Sequence, residues 1–480
     1  MVSAEPTKPH VAVIPSPGMG HLIPLLEFAK LLVLHYGLEV TLLVIPTAAS
    51  AAQNHLLSSL PASLRVVELP VIDISGEVVD ENHVLTQLCI MVRESLRPLR
   101  SVLAGLRSLR ALVIDPFCTQ AFDVCEELSI PVYSFFTPSA ALLAFSLYLP
   151  TMDREVEGEF VDLPGPVEVP GCRPIRTEDL LDQVKNRKID EYKWFLYHVS
   201  RLPKAAGIFT NTWDALEPTT LRALTQNSFF RAIPTPPVHP IGPLIKQEEP
   251  LTDSDRTLLA WLDNQPPESV LFIALGSGGT LSTQQLTELA LGLELSQQRF
   301  VLVARRPADA SAFAAFFTAG TRDDDPTSYL PKGFVERTAG VGMVVPSWAP
   351  QGAVLQHMAT GAFLSHCGWN STLESLANGV PIVAWPLYAE QRMNAAALAA
   401  EEIGVAVKPA VEEGKEVVGK EEIERVVRLV MVGEEGKKMR KRAKELKESA
   451  KKALAFGGSS FKELSSLVVG WKMPTSGKEN

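Results

Sequence analysis

The chain contains one local pattern twice, and that pattern limits what it can fold into. An apolar run and a glycine-rich turn over residues 10–20 lead into a helical pattern from 21 to about 36. Residues 269–279 repeat the apolar run and the turn, and a second helical pattern follows over 282–295. A strand, a glycine-rich turn and a helix in this order open a βαβ unit with a parallel sheet. The repetition therefore predicts two such sheets.

Short apolar runs that alternate with helical patterns continue each sheet. Because the runs are almost continuously apolar, they are typical of parallel strands that are covered on both faces. We therefore predict an α/β fold with two doubly wound, Rossmann-like domains that face each other across a cleft. The further predicted strands are residues 38–45, 65–69, 111–115, 131–136 and 207–210 in the first half, and 299–305, 342–346, 361–365, 381–385 and 405–407 in the second.

A proline-rich and acidic stretch separates the two halves. Residues 232–255 have little periodicity, which is typical of a linker between domains. We place the first domain at residues 1–243 and the second at residues 244–459. We expect the last helical segment, residues 460–475, to pack back on the first domain.

Composition narrows the class of protein. The net charge of −10 leaves no basic surface of the kind that binds nucleic acid. The 5 cysteines are scattered without a CxxC pair, so we expect neither a disulfide framework nor a zinc site. The first residues lack the apolar core of a signal peptide, and the most apolar stretch, residues 140–149, is too short to cross a bilayer. We expect a cytoplasmic monomer that does not insert into membranes.

A histidine and a carboxylate follow two different strands of the first domain. His21 stands in the first helical turn after Gly20, and Asp115 ends the apolar run ALVID. Because the carboxyl ends of parallel strands meet at one edge of the sheet, His21 can act there as a general base that Asp115 orients. Each residue also has a plain interpretation, as part of a helix start or as a helix cap. Asp123 is a competing acid, although it falls inside the following helix.

Two other enzyme classes fit these residues less well. A hydrolase triad of Ser16, His21 and Asp115 lacks the G-x-S-x-G elbow, because Ser16 stands before a proline rather than at a strand–helix turn. A dinucleotide-dependent oxidoreductase needs a third glycine in the turn and an acid after the second strand, and this chain has neither. The fold alone would still allow an oxidoreductase.

The densest group of polar residues lies in the second domain, over residues 348–391. Ser371 and Glu374 there resemble the capping box of a helix that follows His366. A helix N-terminus with free backbone N–H groups binds phosphate, and the glycine-rich turn 276–279 can reach the same group. A well-capped helix without a ligand would explain Ser371 and Glu374 but not His366.

Other side chains in this stretch suit a nucleotide and a sugar. Trp348 offers a flat face on which a base can stack. Glu390 and Gln391 supply an acceptor and an amide, the pair needed to bind sugar hydroxyls.

Three other polar features have plainer interpretations. The D-x-D spacing in residues 323–325 could hold a divalent cation, but the composition around it favours a solvated loop. The charges of residues 434–455 have the spacing of a solvated helix face. We expect His357 to be structural.

Residues 348–391 as a whole resemble the signature box of plant UDP-dependent glycosyltransferases almost position for position. The segments WAPQ, HCGWNS, ESLANGVP and WPLYAEQ stand as in that family. The segments SPGMGHLIPLLEFAKLL and FIALGSGGTLS are similar to it too, so the resemblance covers the whole chain. PSPGMGHLIP, GSGGTLS and WPLYAEQRMNAA are most similar to the branch that glucosylates hydroquinone, monolignols and related small phenols.

The resemblance implies a GT-B fold and an inverting transfer of glucose from UDP-glucose to a small phenol, without a metal or another cofactor. It implies that His21 takes the proton of the acceptor hydroxyl, that Asp115 orients His21, and that the final Gln391 favours glucose over galactose. The donor-binding residues that it implies are Ser16, Gly20, Ser277, Trp348, Ala349, Gln351, His366, Trp369, Asn370, Ser371, Glu374, Tyr388, Glu390 and Gln391. The acceptor-binding residues are Phe117, Thr137, Ser139, Phe145 and Phe195, with a further loop at residues 75–83.

Alternatives to a small-phenol glucosyltransferase remain open at this point. One is a flavonoid or xenobiotic phenol glucosyltransferase, which differs only in the acceptor. A second is a UDP-sugar-binding protein without catalysis, against which the His21–Asp115 pair argues. The third is the oxidoreductase that the fold would allow.

Overall fold

The computed structural model shows two parallel sheets, each covered by helices on both faces. It describes residues 8–46, 53, 56–57, 60, 63–74, 84–247, 251–309 and 325–473. The α/β architecture predicted from the repeated opening pattern is confirmed.

The first sheet contains seven parallel strands within the described residues, in the order β3-β2-β1-β4-β5-β6-β7. The order changes direction between β1 and β4, and such a switch point is where ligands bind in doubly wound sheets. The last strand was not predicted, because it is only three residues long and lies inside the proline-rich linker. The strands are β1 His10–Ile14, β2 Glu39–Val44, β3 Arg65–Glu68, β4 Leu109–Ile114, β5 Val132–Phe136, β6 Gly207–Thr210 and β7 Val238–Pro240.

The second sheet repeats this plan with six strands in the order β10-β9-β8-β11-β12-β13. Its switch point lies between β8 and β11, which pair in parallel. The strands are β8 Val270–Ala274, β9 Arg299–Ala304, β10 Gly342–Pro346, β11 Thr360–Ser365, β12 Ile382–Ala384 and β13 Ala406–Val407.

The described helices connect and cover these strands, and none of them is long and apolar enough to cross a membrane. They are α1 Met19–Leu34, α2 Val84–Glu94, α3 Leu96–Gly105, α4 Ala121–Glu127, α5 Ala140–Glu155, α6 Asp190–Arg201, α7 Pro218–Gln226, α8 Ser228–Ala232, α9 Asp253–Asp263, α10 Thr283–Ser296, α11 Phe334–Thr338, α12 Gln351–Gln356, α13 Trp369–Asn378, α14 Gln391–Ala399, α15 Lys420–Met431, α16 Glu434–Leu454 and α17 Ser459–Lys472.

One predicted helix is divided into two in the structure. A single helix was predicted over residues 82–107, but the structure has α2 and α3 with a break at Ser95. Pro98 has no N–H to bond to the carbonyl of Glu94, four residues earlier, so a continuous helix would lose a hydrogen bond there. The hydroxyl of Ser95 instead donates to the carbonyl of Met91 at 2.8 Å.

Each central strand is buried on both faces. Val11 and Val13 of β1 belong to one apolar cluster, while Ala12 and Ile14 belong to the cluster on the other side of the sheet. This is the expected result of side chains that alternate between the two faces of a covered parallel strand. The faces of the sheet are therefore closed by helices, and polar side chains collect at the carboxyl edge.

The last helix, α17, packs on the first domain although it follows the second in sequence. Leu464, Val468 and Trp471 lie in the same apolar cluster as the first strands. The hydroxyl of Ser460 donates to the carbonyl of Gly242 at 2.7 Å. The chain thus crosses between the domains a second time.

Candidate active site

His21 and Asp115 meet at the switch point of the first sheet. His21 lies in the first turn of α1, and Asp115 directly follows β4. Nδ1 of His21 lies 2.7 Å from Oδ2 of Asp115. The other carboxylate oxygen, Oδ1, accepts a hydrogen bond of 2.9 Å from the backbone N–H of Phe117. Asp115 therefore caps the short helix Pro116–Cys118 and orients His21 at the same time.

Burial and Asp115 have opposite effects on the pKa of His21. The side chain of Asp115 is 0% exposed and that of His21 is 18% exposed. Burial lowers the pKa of His21, but the negative charge and the hydrogen bond of Asp115 oppose this, and the pKa lies above the usual 6.5. A proton on Nδ1 is held by Asp115, which leaves the lone pair of Nε2 to accept a proton from a substrate.

The competing arrangements do not form. Asp123 lies on α4 and pairs with Arg201 at 2.6 Å. Ser16 is buried, and its hydroxyl has no hydrogen-bond partner within the described residues. A Ser–His–Asp triad requires a hydrogen bond from the serine to the histidine, and none is present. Since an unpartnered buried hydroxyl is unusual, this oxygen can bond to a ligand group.

The start of α13 differs from the predicted capping box. The helix begins at Trp369, and its N-cap is Gly368, which has no side chain that could cap it. Ser371 and Glu374 lie inside the helix and accept hydrogen bonds of 2.9 and 2.5 Å from Nε2 of Gln351. The prediction that Ser371 and Glu374 form a capping box is therefore wrong. The first backbone N–H groups of α13 lack a side-chain cap, which is the condition under which a helix end binds an anion.

His366 stands in front of this helix end, between two glycines. A Cβ on Gly276 would lie 2.4 Å from Nε2 of His366, and a Cβ on Gly368 would lie 2.5 Å from the same atom. Ser277 follows Gly276 in the same turn after β8. Burial, and then the charge of Arg305, lower the pKa of His366 to about 3, so the ring is neutral at neutral pH and has one N–H donor. Its Nδ1 has no partner within the described residues, although it is buried.

The residues predicted to bind the base lie after β10. Lys246 of the linker lies over the ring of Trp348, 5.6 Å from its centroid, in the geometry of a cation–π contact. Ala349 is buried beside Trp348. Gln351 begins α12 and connects that helix to α13 through the two hydrogen bonds described above. Gln351 thus links the predicted donor-binding residues after β10 to Ser371 and Glu374, which are also predicted to bind the donor.

Trp369 and Asn370 join the two domains. The indole N–H of Trp369 donates to the carbonyl of Asn211 at 2.8 Å, and the ring packs in an apolar cluster with Trp213. The side-chain amide of Asn370 donates to the carbonyl of Gly20 at 2.8 Å. The domain contact therefore uses the side-chain N–H of Trp369, which is then not available for the donor contact that the resemblance implies.

The loop before α14 brings the predicted sugar-binding residues close to His21. Burial raises the pKa of Glu390, while the positive charge of His21 opposes the shift; Glu390 in turn contributes to the raised pKa of His21. Oε1 of Gln391 accepts hydrogen bonds from the backbone N–H groups of Leu387 and Tyr388, at 2.9 and 3.1 Å. Burial raises the pKa of Tyr388 to about 12. The charges of Glu390 and His21 thus act on each other across the two domains.

Arg305 is a cation that the sequence analysis missed. It directly follows β9 and donates to the carbonyls of Ser347 and Gly279, both at 3.1 Å. It thereby ties the loop before Trp348 to the glycine-rich turn of the second domain. Burial lowers its pKa to about 10, and no carboxylate of the described residues forms an ion pair with it. A partly buried cation without a counter-ion favours an anionic ligand. The sequence feature that could have identified Arg305 as a site residue is its position directly after a predicted strand.

Asn394 was missed as well. Its Nδ2 donates to the carbonyl of Cys367 at 2.9 Å and to Oε1 of Glu390 at 3.3 Å. Asn394 thus connects the turn before α13 with the sugar-binding loop. It stands four residues after Glu390 at the start of a helix. This spacing could have indicated that the two side chains lie close together.

Phe117 and Phe195 line a small apolar cavity. The ring centroids of His21 and Phe117 lie 5.3 Å apart, and those of Phe117 and Phe195 lie 6.5 Å apart. Phe136 and Leu142 contribute to the same cavity. Two of the predicted acceptor residues therefore line one cavity, and one of them, Phe117, also contacts the ring of His21.

The other predicted acceptor residues lie elsewhere. Phe145 is 0% exposed, because its face of α5 packs into the core, so its predicted contact with an acceptor is corrected. Ser139 is the N-cap of α5, and its hydroxyl oxygen accepts a hydrogen bond of 3.1 Å from the backbone N–H of Leu142. Thr137 is buried. Residues 75–83 lie outside the described residues.

The remaining polar features have structural partners. Asp325 caps a short helix by accepting a hydrogen bond of 2.9 Å from the backbone N–H of Thr327, while residues 323–324 lie outside the described residues. His357 pairs with Asp263 at 3.1 Å. Within the described ranges no group of three His, Cys, Asp or Glu residues is placed to hold a metal ion.

Known proteins resemble this chain over nearly its full length. The family model described as UDP-glucoronosyl and UDP-glucosyl transferase matches residues 330–441. The chain is 46% identical to anthocyanidin 3-O-glucosyltransferase 5 of Manihot esculenta, over 97% of this chain and 96% of that protein. It is 46% identical to hydroquinone glucosyltransferase of Rauvolfia serpentina, over 97% and 98%. The structure of Phytolacca americana UGT2 complexed with UDP-2fluoro-glucose and pterostilbene matches with a TM-score of 0.87 and 42% identity, over 98% of this chain and 100% of that one.

Proposed function

This chain belongs to the plant UDP-glycosyltransferase family, and we propose that it transfers glucose from UDP-glucose to the hydroxyl of a small phenol, with inversion at the anomeric carbon. Identity of 46% over 97% of the chain, together with the matched UDP-sugar complex, makes it a glycosyltransferase with the GT-B fold. The sugar, the stereochemistry, the acceptor and the roles of individual residues are our proposals.

The meeting of three groups from two domains supports the proposal most directly. His21 and Asp115 of the first domain lie 2.7 Å apart, and Glu390 of the second domain is close enough for its charge to act on His21. The hydrogen bond from Asn370 to Gly20 joins the domains at the start of α1. A base for the acceptor therefore lies beside the residues predicted to hold the sugar. A protein that only bound UDP-sugars would have no need for such a base.

The reaction that we propose needs one proton transfer and one displacement. The proton of the acceptor hydroxyl passes to Nε2 of His21 while the acceptor oxygen forms a bond to the anomeric carbon. The bond from that carbon to UDP breaks, and its electron pair leaves on the phosphate oxygen. Attack opposite the leaving group turns the α-linked donor into a β-glucoside. Asp115 stabilises the imidazolium until the proton passes to solvent.

The departing UDP carries negative charge that the second domain can stabilise. The uncapped N–H groups at the start of α13 carry the positive end of the helix dipole. The neutral ring of His366 adds one N–H donor, and Arg305 adds a positive charge close to His366. Preorganised donors of this kind act where charge develops in the transition state. We propose that they bind the diphosphate without a metal ion.

The acceptor is proposed to be a small phenol. Phe117 and Phe195 present aromatic rings in an apolar cavity, and the ring of Phe117 also lies 5.3 Å from that of His21. Aromatic walls suit a planar aromatic ring whose hydroxyl points at the base. Two relatives are named for hydroquinone and for anthocyanidin, and the matched complex contains pterostilbene. All three compounds are phenols.

Purified protein with UDP-glucose and a panel of phenols tests the proposal. The panel contains hydroquinone, coniferyl alcohol, pterostilbene and an anthocyanidin, and release of UDP reports turnover. We expect a small phenol to react with a higher kcat/KM than the anthocyanidin, and the proton coupling at the anomeric position to identify a β-glucoside. A higher kcat/KM for the anthocyanidin would favour the flavonoid alternative, and an α-glucoside would contradict inversion.

Two variants and one control test the residues. His21→Ala is expected to lose roughly 10²–10⁴-fold in kcat/KM while UDP binding is retained. The matched control is His357→Gln, because His357 also pairs with an aspartate, at 3.1 Å, but belongs to no predicted site. Full activity of His21→Ala would refute the assignment of the base.

Treatment with EDTA tests the metal-independent reaction, and the activity is expected to survive it. Loss of activity in EDTA that is restored by added Mg²⁺ or Mn²⁺ would refute a reaction without a metal.

A further inference from the structure

A second contact between the domains lies next to Glu390 and consists of ion pairs that we call the clasp. Each pair joins the irregular segment 173–182 of the first domain to the region 392–408 of the second. Ion pairs that keep at least one partner in contact with solvent contribute little stability by themselves. The role of the clasp therefore depends on what else its members contact. The pairs are Arg173–Glu402, Asp179–Lys408 at 3.8 Å and Asp182–Arg392 at 2.8 Å.

Asp182 differs from the other members because it also contacts the sugar-binding loop. Its Oδ1 accepts a hydrogen bond of 2.8 Å from Nη1 of Arg392, and its backbone N–H donates to the carbonyl of Ala389 at 3.3 Å. Ala389 and Arg392 stand on either side of Glu390 and Gln391 in the sequence. One residue of the first domain therefore holds both ends of the pair that is predicted to bind the sugar hydroxyls.

The backbone of this loop needs such a contact. Ala389 has a φ of 53°, in the left-handed region that residues other than glycine rarely adopt, and surrounding structure must stabilise it. Within the loop, Gln391 accepts two backbone N–H groups. Outside it, Asp182 bonds to the carbonyl of Ala389, while Lys185 donates to the Asp182 carboxylate at 2.9 Å. The conformation is thus fixed from both domains.

Asp182 also acts on Glu390 through its charge. Burial raises the pKa of Glu390; the charge of His21 opposes the shift, and that of Asp182 adds to it. The proposed base and Asp182 both belong to the first domain. The charge of Glu390 is therefore coupled to that domain at two points.

We propose that Asp182 is a positioning residue that sets Glu390 and Gln391 relative to His21 and thereby controls the choice between UDP-sugars. The inference rests on the proposed function, since it concerns the same transfer. UDP-glucose and UDP-galactose differ in the orientation of one hydroxyl, and a site discriminates between them through the placement of its polar groups. A shift of the loop on the order of 1 Å is enough to change a rate by about 10²-fold.

Kinetics with both UDP-sugars and one fixed phenol test this inference. Asp182→Ala is expected to lower kcat/KM for UDP-glucose by roughly 10–100-fold and the glucose-to-galactose ratio by about 10-fold. Both variants keep the backbone N–H that donates to Ala389. Asp182→Asn also keeps a side-chain oxygen that can accept the hydrogen bond of Arg392, so it is expected to recover most of the ratio. The affinity for UDP itself, measured by calorimetry, should stay within about twofold of the wild-type value, because UDP lacks the transferred hexose that Glu390 and Gln391 are proposed to bind.

The matched control is Lys408→Met, which breaks a neighbouring pair of the clasp without touching the loop 387–391. It is expected to leave the ratio unchanged. An unchanged ratio in folded Asp182→Ala, or an equal loss in Lys408→Met, would contradict the inference, because the clasp would then only hold the domains together. A wild-type protein that binds UDP-glucose but glucosylates no phenol would contradict the proposed function instead. The relative affinities of the variants for the two UDP-sugars would then still test the role of Asp182.

Discussion

Asp115→Asn is expected to abolish most of the activity because the two oxygens of Asp115 have different partners. Oδ1 accepts the backbone N–H of Phe117 at 2.9 Å, and Oδ2 binds Nδ1 of His21 at 2.7 Å. Asparagine has one oxygen, and the Phe117 N–H, which would otherwise be left unsatisfied, is expected to take it. The amide NH₂ then faces His21, so Nδ1 must accept and the ring proton moves to Nε2.

The altered tautomer prevents His21 from taking the acceptor proton. Loss of the correct tautomer and of the charge that stabilises the imidazolium is expected to lower kcat/KM by roughly 10²–10⁴-fold. At 1.36 kcal/mol for each factor of ten, this is about 3–5 kcal/mol of transition-state stabilisation. The affinity for UDP should stay within about twofold of the wild-type value, because the second domain is unchanged.

The pH dependence of kcat/KM provides the assay. In the wild type His21 must be neutral to act as a base, and its pKa lies above 6.5. The rate should therefore fall as the pH is lowered through that raised pKa. In Asp115→Asn the negative charge that raises the pKa is absent, so the acidic limb of the residual activity should move to lower pH. The loss of kcat/KM in Asp115→Asn should be smaller with a nitrophenol as the acceptor than with hydroquinone. The hydroxyl of a nitrophenol is more acidic and therefore depends less on a general base.

Asp263→Asn is the control, because it alters the comparable pair between Asp263 and His357. It should change neither the rate nor the pH profile. The reasoning would be refuted if Asp115→Asn kept its activity within about tenfold of the wild type with an unmoved acidic limb.

Three further predictions concern the second domain and stability. Trp348→Ala should weaken UDP binding by about 5–150-fold, because it removes a base-stacking contact that contributes roughly 1–3 kcal/mol. Calorimetry measures the affinity for UDP, and an affinity equal to that of the wild type would exclude stacking. Arg305→Met removes a partly buried cation without a counter-ion and should weaken UDP binding about tenfold or more. Arg305→Lys keeps the positive charge and should weaken it less. Unchanged affinity in Arg305→Met would place the diphosphate elsewhere. Burial lowers the pKa of His198 and of His366 to about 3, so below pH 6.5 the unfolded chain binds protons that the folded chain does not. Stability should fall between about pH 6.5 and 3, by about 2 kcal/mol for each ring at pH 5. Urea unfolding at pH 7 and 5 measures this loss, which His198→Gln should reduce; an undiminished loss in that variant would contradict the assignment.

Local patterns were sufficient to predict the sheets. Nearly continuous apolar runs predict covered parallel strands because their side chains alternate between two buried faces. The predicted strands match the observed ones to within two residues at each end, while β7 was missed because three residues in a linker carry no pattern. Helix continuity was less predictable, and one proline divides the predicted helix over 82–107.

Contacts within the site were harder to predict. Ser371 and Glu374 have the spacing of a capping box, yet Gln351 bonds to both. Phe145 lies on a predicted acceptor segment, but the face of α5 to which it belongs is buried. Spacing alone does not show which partner a polar group meets or which helix face is covered, because other elements of the fold compete for both.

The sequence by itself determined the fold class, the family and the residues at the strand ends, His21 and Asp115 among them, since these depend on local pattern and on which residue follows a strand. The tertiary structure alone decided which residues meet across the domains. Asp182 and Arg392 are 210 positions apart, and Gly20 and Asn370 are 350 apart. Such contacts depend on how two separately folded sheets pack, and no periodicity within either sheet encodes that packing.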